Sequence, residues 1–241
     1  MKKIACLLIT LAALLTGCQT RSISDSGYHR DREFRGELSE LEVLGVDTSK
    51  GITEEDIKSA LQRRTKIEIS RGDRIVLIQS GAQFPDEPMV KEMEKFYRII
   101  PLSGVPNRPR YNQFRDVEQI DSKPMDMAYR LAAANAGAKT LIVYWGVLES
   151  SRKGYGSKAV SWVPIAGAFI PDEDQEMRIR LKVAIIDVQS GKWEMLTPEV
   201  YADGSVSARI NRESSDQDQV EKLKEQGYRR VVSDIQTRFE N

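Results

Sequence analysis

From Met177 to Ile185, apolar Met177, Ile179, Leu181, Val183 and Ile185 alternate with Arg178, Arg180 and Lys182. A period of two puts every second side chain on one face, so this stretch predicts an antiparallel strand with one dry face and one wet face. Two shorter runs, Ile75–Ile78 and Leu141–Trp145, are apolar throughout and predict strands covered on both faces. A chain carrying both kinds of strand needs a sheet with helices packed against it. The expected fold class is therefore α/β (α+β), a mixed sheet with flanking helices.

The remaining segments supply the other elements. Thr53-Glu54-Glu55-Asp56 precedes Ile57, Ala60 and Leu61, the pattern of a capped helix ending near Arg63-Arg64. Pro85-Asp86-Glu87 opens a helix whose Met89, Val90, Met93 and Phe96 share one face, and Ile99–Leu102 follows as a strand. Ser122 and Pro124 start a helix that runs through Ala132-Ala133-Ala134, small residues suited to close packing on a sheet, and Gly137 stops it. Gln189-Ser190-Gly191-Lys192 is a turn, and Trp193–Ala202 returns as a strand interrupted by Pro198. Ser215 and Asp218 cap a last helix lined by Val220, Leu223, Val231, Ile235 and Phe239, with Gly227 weakening it locally. Glu37–Val46 starts the folded part as either a short helix or a strand.

The N-terminus has a different character. Lys2 and Lys3, an apolar stretch from Ile4 to Leu15 and small residues before Cys18 form the three-part layout of a secretory signal, too short to span a bilayer. Leu15-Thr16-Gly17-Cys18 resembles the lipobox of bacterial lipoproteins. The resemblance implies that the Cys18 sulfur takes a diacylglyceryl group, that the chain is cut before Cys18, and that the new amino terminus is acylated. Gln19 stands where the inner-membrane retention signal of that class has Asp, which implies transport to the outer membrane with the body facing the periplasm. Cys6, the other cysteine, leaves with the signal, so no internal disulfide forms and the core alone must hold the fold. The expected organisation is a signal peptide over 1–17, a lipidated flexible tether over 18–36 and one periplasmic domain over 37–241.

The segments Ala133 to Gly146, with Asn135-Ala136-Gly137-Ala138-Lys139-Thr140, and Arg180 to Lys192, with Asp187-Val188-Gln189-Ser190-Gly191, are similar to the α/β domain of the curli-secretion-channel lipoprotein group. In that group a helix ending in a Gly-Ala pair feeds a central strand, and a long strand ends in an Asp-x-x-[Ser/Thr]-Gly turn. The two long amphipathic hairpins that would form a pore are missing from this sequence, so the resemblance carries no channel.

Chemistry is sparse. The chain holds 36 basic and 36 acidic residues, and 34 basic residues remain without Lys2 and Lys3, a balance that is no nucleic-acid footprint. His29 is the sole histidine and falls in the expected tether, which disfavours a Ser-His-Asp site and excludes a His-Glu-x-x-His zinc motif. Asp172-Glu173-Asp174 and Asp216-Gln217-Asp218 lack the spacing of a calcium loop and read as solvated loops or helix caps. Ser150-Ser151-Arg152-Lys153 has a Ser-x-x-Lys spacing but follows a strand rather than lying on a helix. Ser80-Gly81 and Ser103-Gly104 end strands, where open α/β sheets place ligands, although ordinary turns explain them as well. No catalytic residue, metal site or cofactor is expected.

Ala159–Pro171 carries no charge in an otherwise charge-dense chain. Its Trp162, Val163, Ile165, Phe169 and Ile170 form either buried core or an interaction patch for a partner, a second copy or a bilayer surface. The expected function is an outer-membrane-anchored, non-catalytic lipoprotein that binds or assembles envelope components, with the membrane as one partner and an envelope protein or a second copy as another. A lipid-tethered periplasmic hydrolase and an oligomeric secretion-associated ring component are the alternatives.

Overall fold

The computed structural model describes residues 19–25, 34–47, 51–62, 66–106, 125–154, 173–199, 201–207 and 212–240. Their elements are β1 (Gln19–Ser22), a 3-10 turn (Ile23–Asp25), α1 (Glu40–Val43), α2 (Glu54–Gln62), β2 (Arg74–Gln79), α3 (Glu87–Glu94) and β3 (Arg98–Leu102), then α4 (Met125–Asn135), β4 (Thr140–Gly154), β5 (Glu173–Asp187), β6 (Trp193–Leu196), β7 (Tyr201–Ser207) and α5 (Arg212–Phe239). The strands form one mixed sheet in the order β3-β2-β4-β5-β6, with β1 added on β4 and β7 on β5. β2 is parallel to β3 and β4, and the remaining pairs are antiparallel.

The chain moves outward from β2 to β3, then back past β2 to β4. Right-handed crossovers in opposite directions place their helices on opposite faces. Accordingly, Met89 and Met93 of α3 pack with Ile75, Leu77, Ile142 and Ile185 on one face, joined by Leu223, Val231 and Ile235 of α5. Tyr129 and Ala133 of α4 pack with Val76, Ile78, Leu141, Val143 and Ile186 on the other. The apolar runs of β2 and β4 are thus covered on both sides. Gly227 brings α5 close to the sheet, because a Cβ there would lie 2.9 Å from Leu181 Cδ1.

Several expectations are met in detail. Thr53 and Asp56 form a reciprocal capping pair at α2: Asp56 N–H donates to Thr53 Oγ1 at 3.2 Å and Thr53 N–H donates to Asp56 Oδ2 at 2.9 Å. Pro198 falls between β6 and β7, which pair separately with β5. In the Asp187–Gly191 turn the Ser190 N–H and hydroxyl both donate to Asp187 Oδ1, and Gly191 takes φ +69°.

Other expectations need correction. Gln19 to Asp25 is not free tether: β1 pairs with β4 in the register Gln19↔Ser150 to Ser22↔Val147, and Ile23 is buried. Polar side chains suit this strand because its partners Val147, Glu149 and Ser150 are only half-buried, and Ile23 seats it. β5 is wet on one face only towards its start, where Arg178 and Arg180 are exposed. Nearer its end Ala184 and Ile186 are buried among residues that include Tyr129 and Ala133 of α4. Of the Ala132–Ala134 run only Ala133 is buried, one position per turn facing the sheet. α5 begins at Arg212, earlier than the expected Ser215 cap.

Candidate functional site

The crossovers reverse direction at the C-terminal ends of β2 and β4, where open α/β sheets usually hold ligands. Here the chain's own N-terminal segment fills the position. Two glycines make room: a Cβ on Gly146 would lie 2.9 Å from Ile23 Cδ1, and one on Gly81 would lie 2.8 Å from the Phe34 ring and 3.3 Å from Ser24 Cβ.

A connected polar network lies beneath. Gln79, the last residue of β2, is buried; its Oε1 accepts the Tyr144 hydroxyl at 2.6 Å and the Asp86 N–H at 2.6 Å, while its Nε2 donates to Ser24 Oγ at 3.0 Å. Asp86 stands at the N-terminal end of α3 without a side-chain capping bond; its Oδ2 instead accepts from the Tyr228 hydroxyl and from Lys224 Nζ at 2.7 Å, both on α5. Lys224 also donates to the Ile23 carbonyl at 3.1 Å. Tyr144 and Tyr228 meet edge to face at 5.8 Å between ring centroids. Burial, chiefly, holds both phenols well above their ordinary range, so each stays a neutral hydrogen-bond donor.

The N-terminal segment is tied down at further points. Ser24 Oγ donates to the Ser80 carbonyl at 2.6 Å, Leu38 N–H donates to Ser80 Oγ at 2.8 Å, and the Trp145 indole donates to the Leu38 carbonyl at 3.0 Å. Nearby, burial raises the Glu37 carboxyl above its ordinary value of 4.5, with Glu40 adding to the shift and the Ser22 hydrogen bond and Lys182 opposing it. Because folded Glu37 holds its proton more tightly than the unfolded chain, it costs stability as pH rises from 4.5 through the raised value. Glu37→Gln should therefore gain on wild type between pH 4 and pH 7, seen as a urea midpoint that is higher than wild type's at pH 7.

These contacts make a latch rather than a reaction centre. Ser80 is buried with its hydroxyl accepting a main-chain bond, and no base stands beside it among the described residues. Ser103 borders an open groove of about 540 Å³ lined by Arg35, Gln83, Phe84, Leu102 and Pro106, without a carboxylate in its lining. The Ser-x-x-Lys spacing from Ser150 to Lys153 falls on strand β4 and not on the helix that would stack the two positions one turn apart. Cys18, His29, Trp162, Val163, Ile165, Phe169 and Ile170 lie outside the described residues. The latch itself escaped sequence reasoning, since Gln79, Asp86, Tyr144, Lys224 and Tyr228 come from separate elements. A visible hint was Gln79 closing an apolar run, with Lys224 and Tyr228 one turn apart on the last helix.

A model of the YafT bacterial lipoprotein family matches residues 39–238, most of the folded body. The chain belongs to this family. Among curated proteins none matches. Solved structures with partial likeness include a PelC dodecamer from Paraburkholderia phytofirmans, at 12% identity over 69% of this chain and 95% of that one, with a TM-score of 0.24. Hypothetical protein CT253 from Chlamydia trachomatis has 9% identity over 69% and 97%, with a TM-score of 0.30. Lipoprotein GNA1162 from Neisseria meningitidis has 14% identity over 63% and 98%, with a TM-score of 0.25. At these TM-scores the likenesses carry no argument about function. YafT family membership agrees with the lipobox: both describe a bacterial lipoprotein.

Proposed function

We propose that this YafT-family protein is anchored to the outer membrane through acylated Cys18, faces the periplasm, and serves a non-catalytic role in binding or assembling envelope components. The observation that carries the reading is the lipobox Leu15-Thr16-Gly17-Cys18 at the head of a chain whose body matches a bacterial lipoprotein family. Gln19 in place of Asp supports the outer-membrane destination. A non-catalytic role is favoured because Ser80, the serine best placed at a strand end, spends its hydroxyl on the Leu38 N–H. The uncharged run Ala159–Pro171 supplies the contact, with Trp162, Val163, Ile165, Phe169 and Ile170 as its apolar side chains.

Two measurements test the reading. In a density gradient of cell envelopes the protein should band with outer-membrane markers; banding with the inner membrane would overturn the destination. Replacing Trp162 and Phe169 together with Ser should leave thermal unfolding within about 0.5 kcal/mol of wild type, the range of surface substitutions, while assembly is lost. Loss of the fold instead would make the run core and remove it as a contact.

A further inference from the structure

β6 is an edge of the sheet: among the described residues it pairs with β5 alone. Lys192 extends that pairing by one residue, since its carbonyl accepts the Asp187 N–H at 2.8 Å. Antiparallel residues alternate between bonded and non-bonded pairs. Lys192, Glu194 and Leu196 therefore turn their main-chain groups inward to β5, while the N–H and C=O of Trp193 and Met195 turn outward. An edge of this kind is a template for a further strand, and Trp193 stands 43% exposed on it.

The side chains select the strand that fits. Trp193 and Met195 lie on the α4 face, because their β5 partners Ile186 and Ala184 pack with Tyr129 and Ala133 of α4. Glu194 lies on the α5 face with its partner Ile185, and alternation puts Lys192 on the same side. Glu194 is exposed and Lys192 half-buried, and neither has an ion-pair partner among the described residues. Opposite charges placed symmetrically about a central residue make a strand complementary to its own reverse. When a second copy of β6 lies antiparallel with Trp193 opposite Trp193, each Lys192 falls opposite the other copy's Glu194, and the two indoles meet on the other face. The neighbouring registers that keep each face on its own side oppose Glu194 to Glu194 or Lys192 to Lys192, and like charges directly opposite are destabilising. The charge pattern thus favours one register and one partner.

We infer that β6 is a self-association edge, at which two copies of this chain join about a two-fold axis through Trp193 and their sheets continue into one. Such an interface is isologous: the same patch serves both copies, with two Trp193 main-chain bonds at the axis and a Lys192–Glu194 pair on either side. It closes within Gly191–Met195, since Gly191 of one copy falls opposite Met195 of the other. The contact is separate from the uncharged run Ala159–Pro171 and does not depend on acylation of Cys18.

The test measures the mass of the full chain in mild detergent by sedimentation velocity. So short a ladder belongs with weak interfaces that bury less than about 1,200 Å² in all, so the protein is studied up to about 100 µM. A two-chain species is expected. Lys192→Glu and Glu194→Lys should each raise its dissociation constant about tenfold, because each turns both cross-strand attractions into repulsions. Lys192→Glu combined with Glu194→Lys should return it to within about threefold of wild type, since the pairs are re-formed with their signs exchanged. Trp193→Ser should abolish the dimer, and thermal melts of the charge variants should match wild type because these side chains lie outside the core. A wild-type monomer throughout the range would overturn the inference. So would a dimer that the single charge reversals leave unchanged, as when two anchored chains share a micelle, or one that the double exchange fails to restore.

Discussion

A chain beginning at Gln19 and exported behind an ordinary cleavable signal is expected to move almost entirely from the membrane pellet to the soluble periplasmic fraction. Each buried methylene contributes about 0.8 kcal/mol to membrane partitioning, and the three acyl chains implied at Cys18 make anchoring effectively permanent, whereas no helix among the described residues is long and apolar enough to cross a membrane. The shortened chain should keep its fold, since β1, Ile23 and the latch all follow Cys18. Fractionation with a thermal melt beside the acylated form checks both halves. A shortened chain that remains in the pellet would show that something other than Cys18 holds it.

Asp86→Ala is expected to lower unfolding stability by about 3 kcal/mol, the lower end of the range for breaking a buried ion pair, measured by urea denaturation. Lys224 is 12% exposed and Asp86 23%, so removing the carboxylate leaves a largely buried ammonium resting on the Ile23 carbonyl and takes from the Tyr228 hydroxyl its charged acceptor. Lys224→Met in the same background should recover part of the loss, because an apolar side chain of similar length leaves no buried charge. Additive losses in the double variant would mean that the pair is not coupled and that the latch is weaker than its geometry indicates.

The parts of the fold that were legible in the sequence are those where one element carries its own signal. Ile75–Ile78 and Leu141–Trp145 had to be covered on both faces, Thr53–Asp56 had to cap a helix, and Pro198 had to break the strand after the Asp187–Gly191 turn. β1 was not legible, because Gln19-Thr20-Arg21-Ser22 has no apolar period; its order comes from a main-chain ladder on β4 and from Ile23, a single apolar residue whose seat is the bare backbone of Gly146. The apolar run ending at Trp145 likewise concealed the full length of β4, which continues to Gly154 paired with β1 and β5. The latch was out of reach for the same reason. Gln79, Asp86, Tyr144, Lys224 and Tyr228 are up to 149 positions apart in number, and only the folded sheet brings them together.

The most direct measurement is the intact mass of the protein extracted from membranes with mild detergent. The account predicts a chain that begins at Cys18 and carries a diacylglyceryl group together with one further acyl chain. A mass equal to the unprocessed sequence, or to a chain cut at another position without lipid, would contradict it.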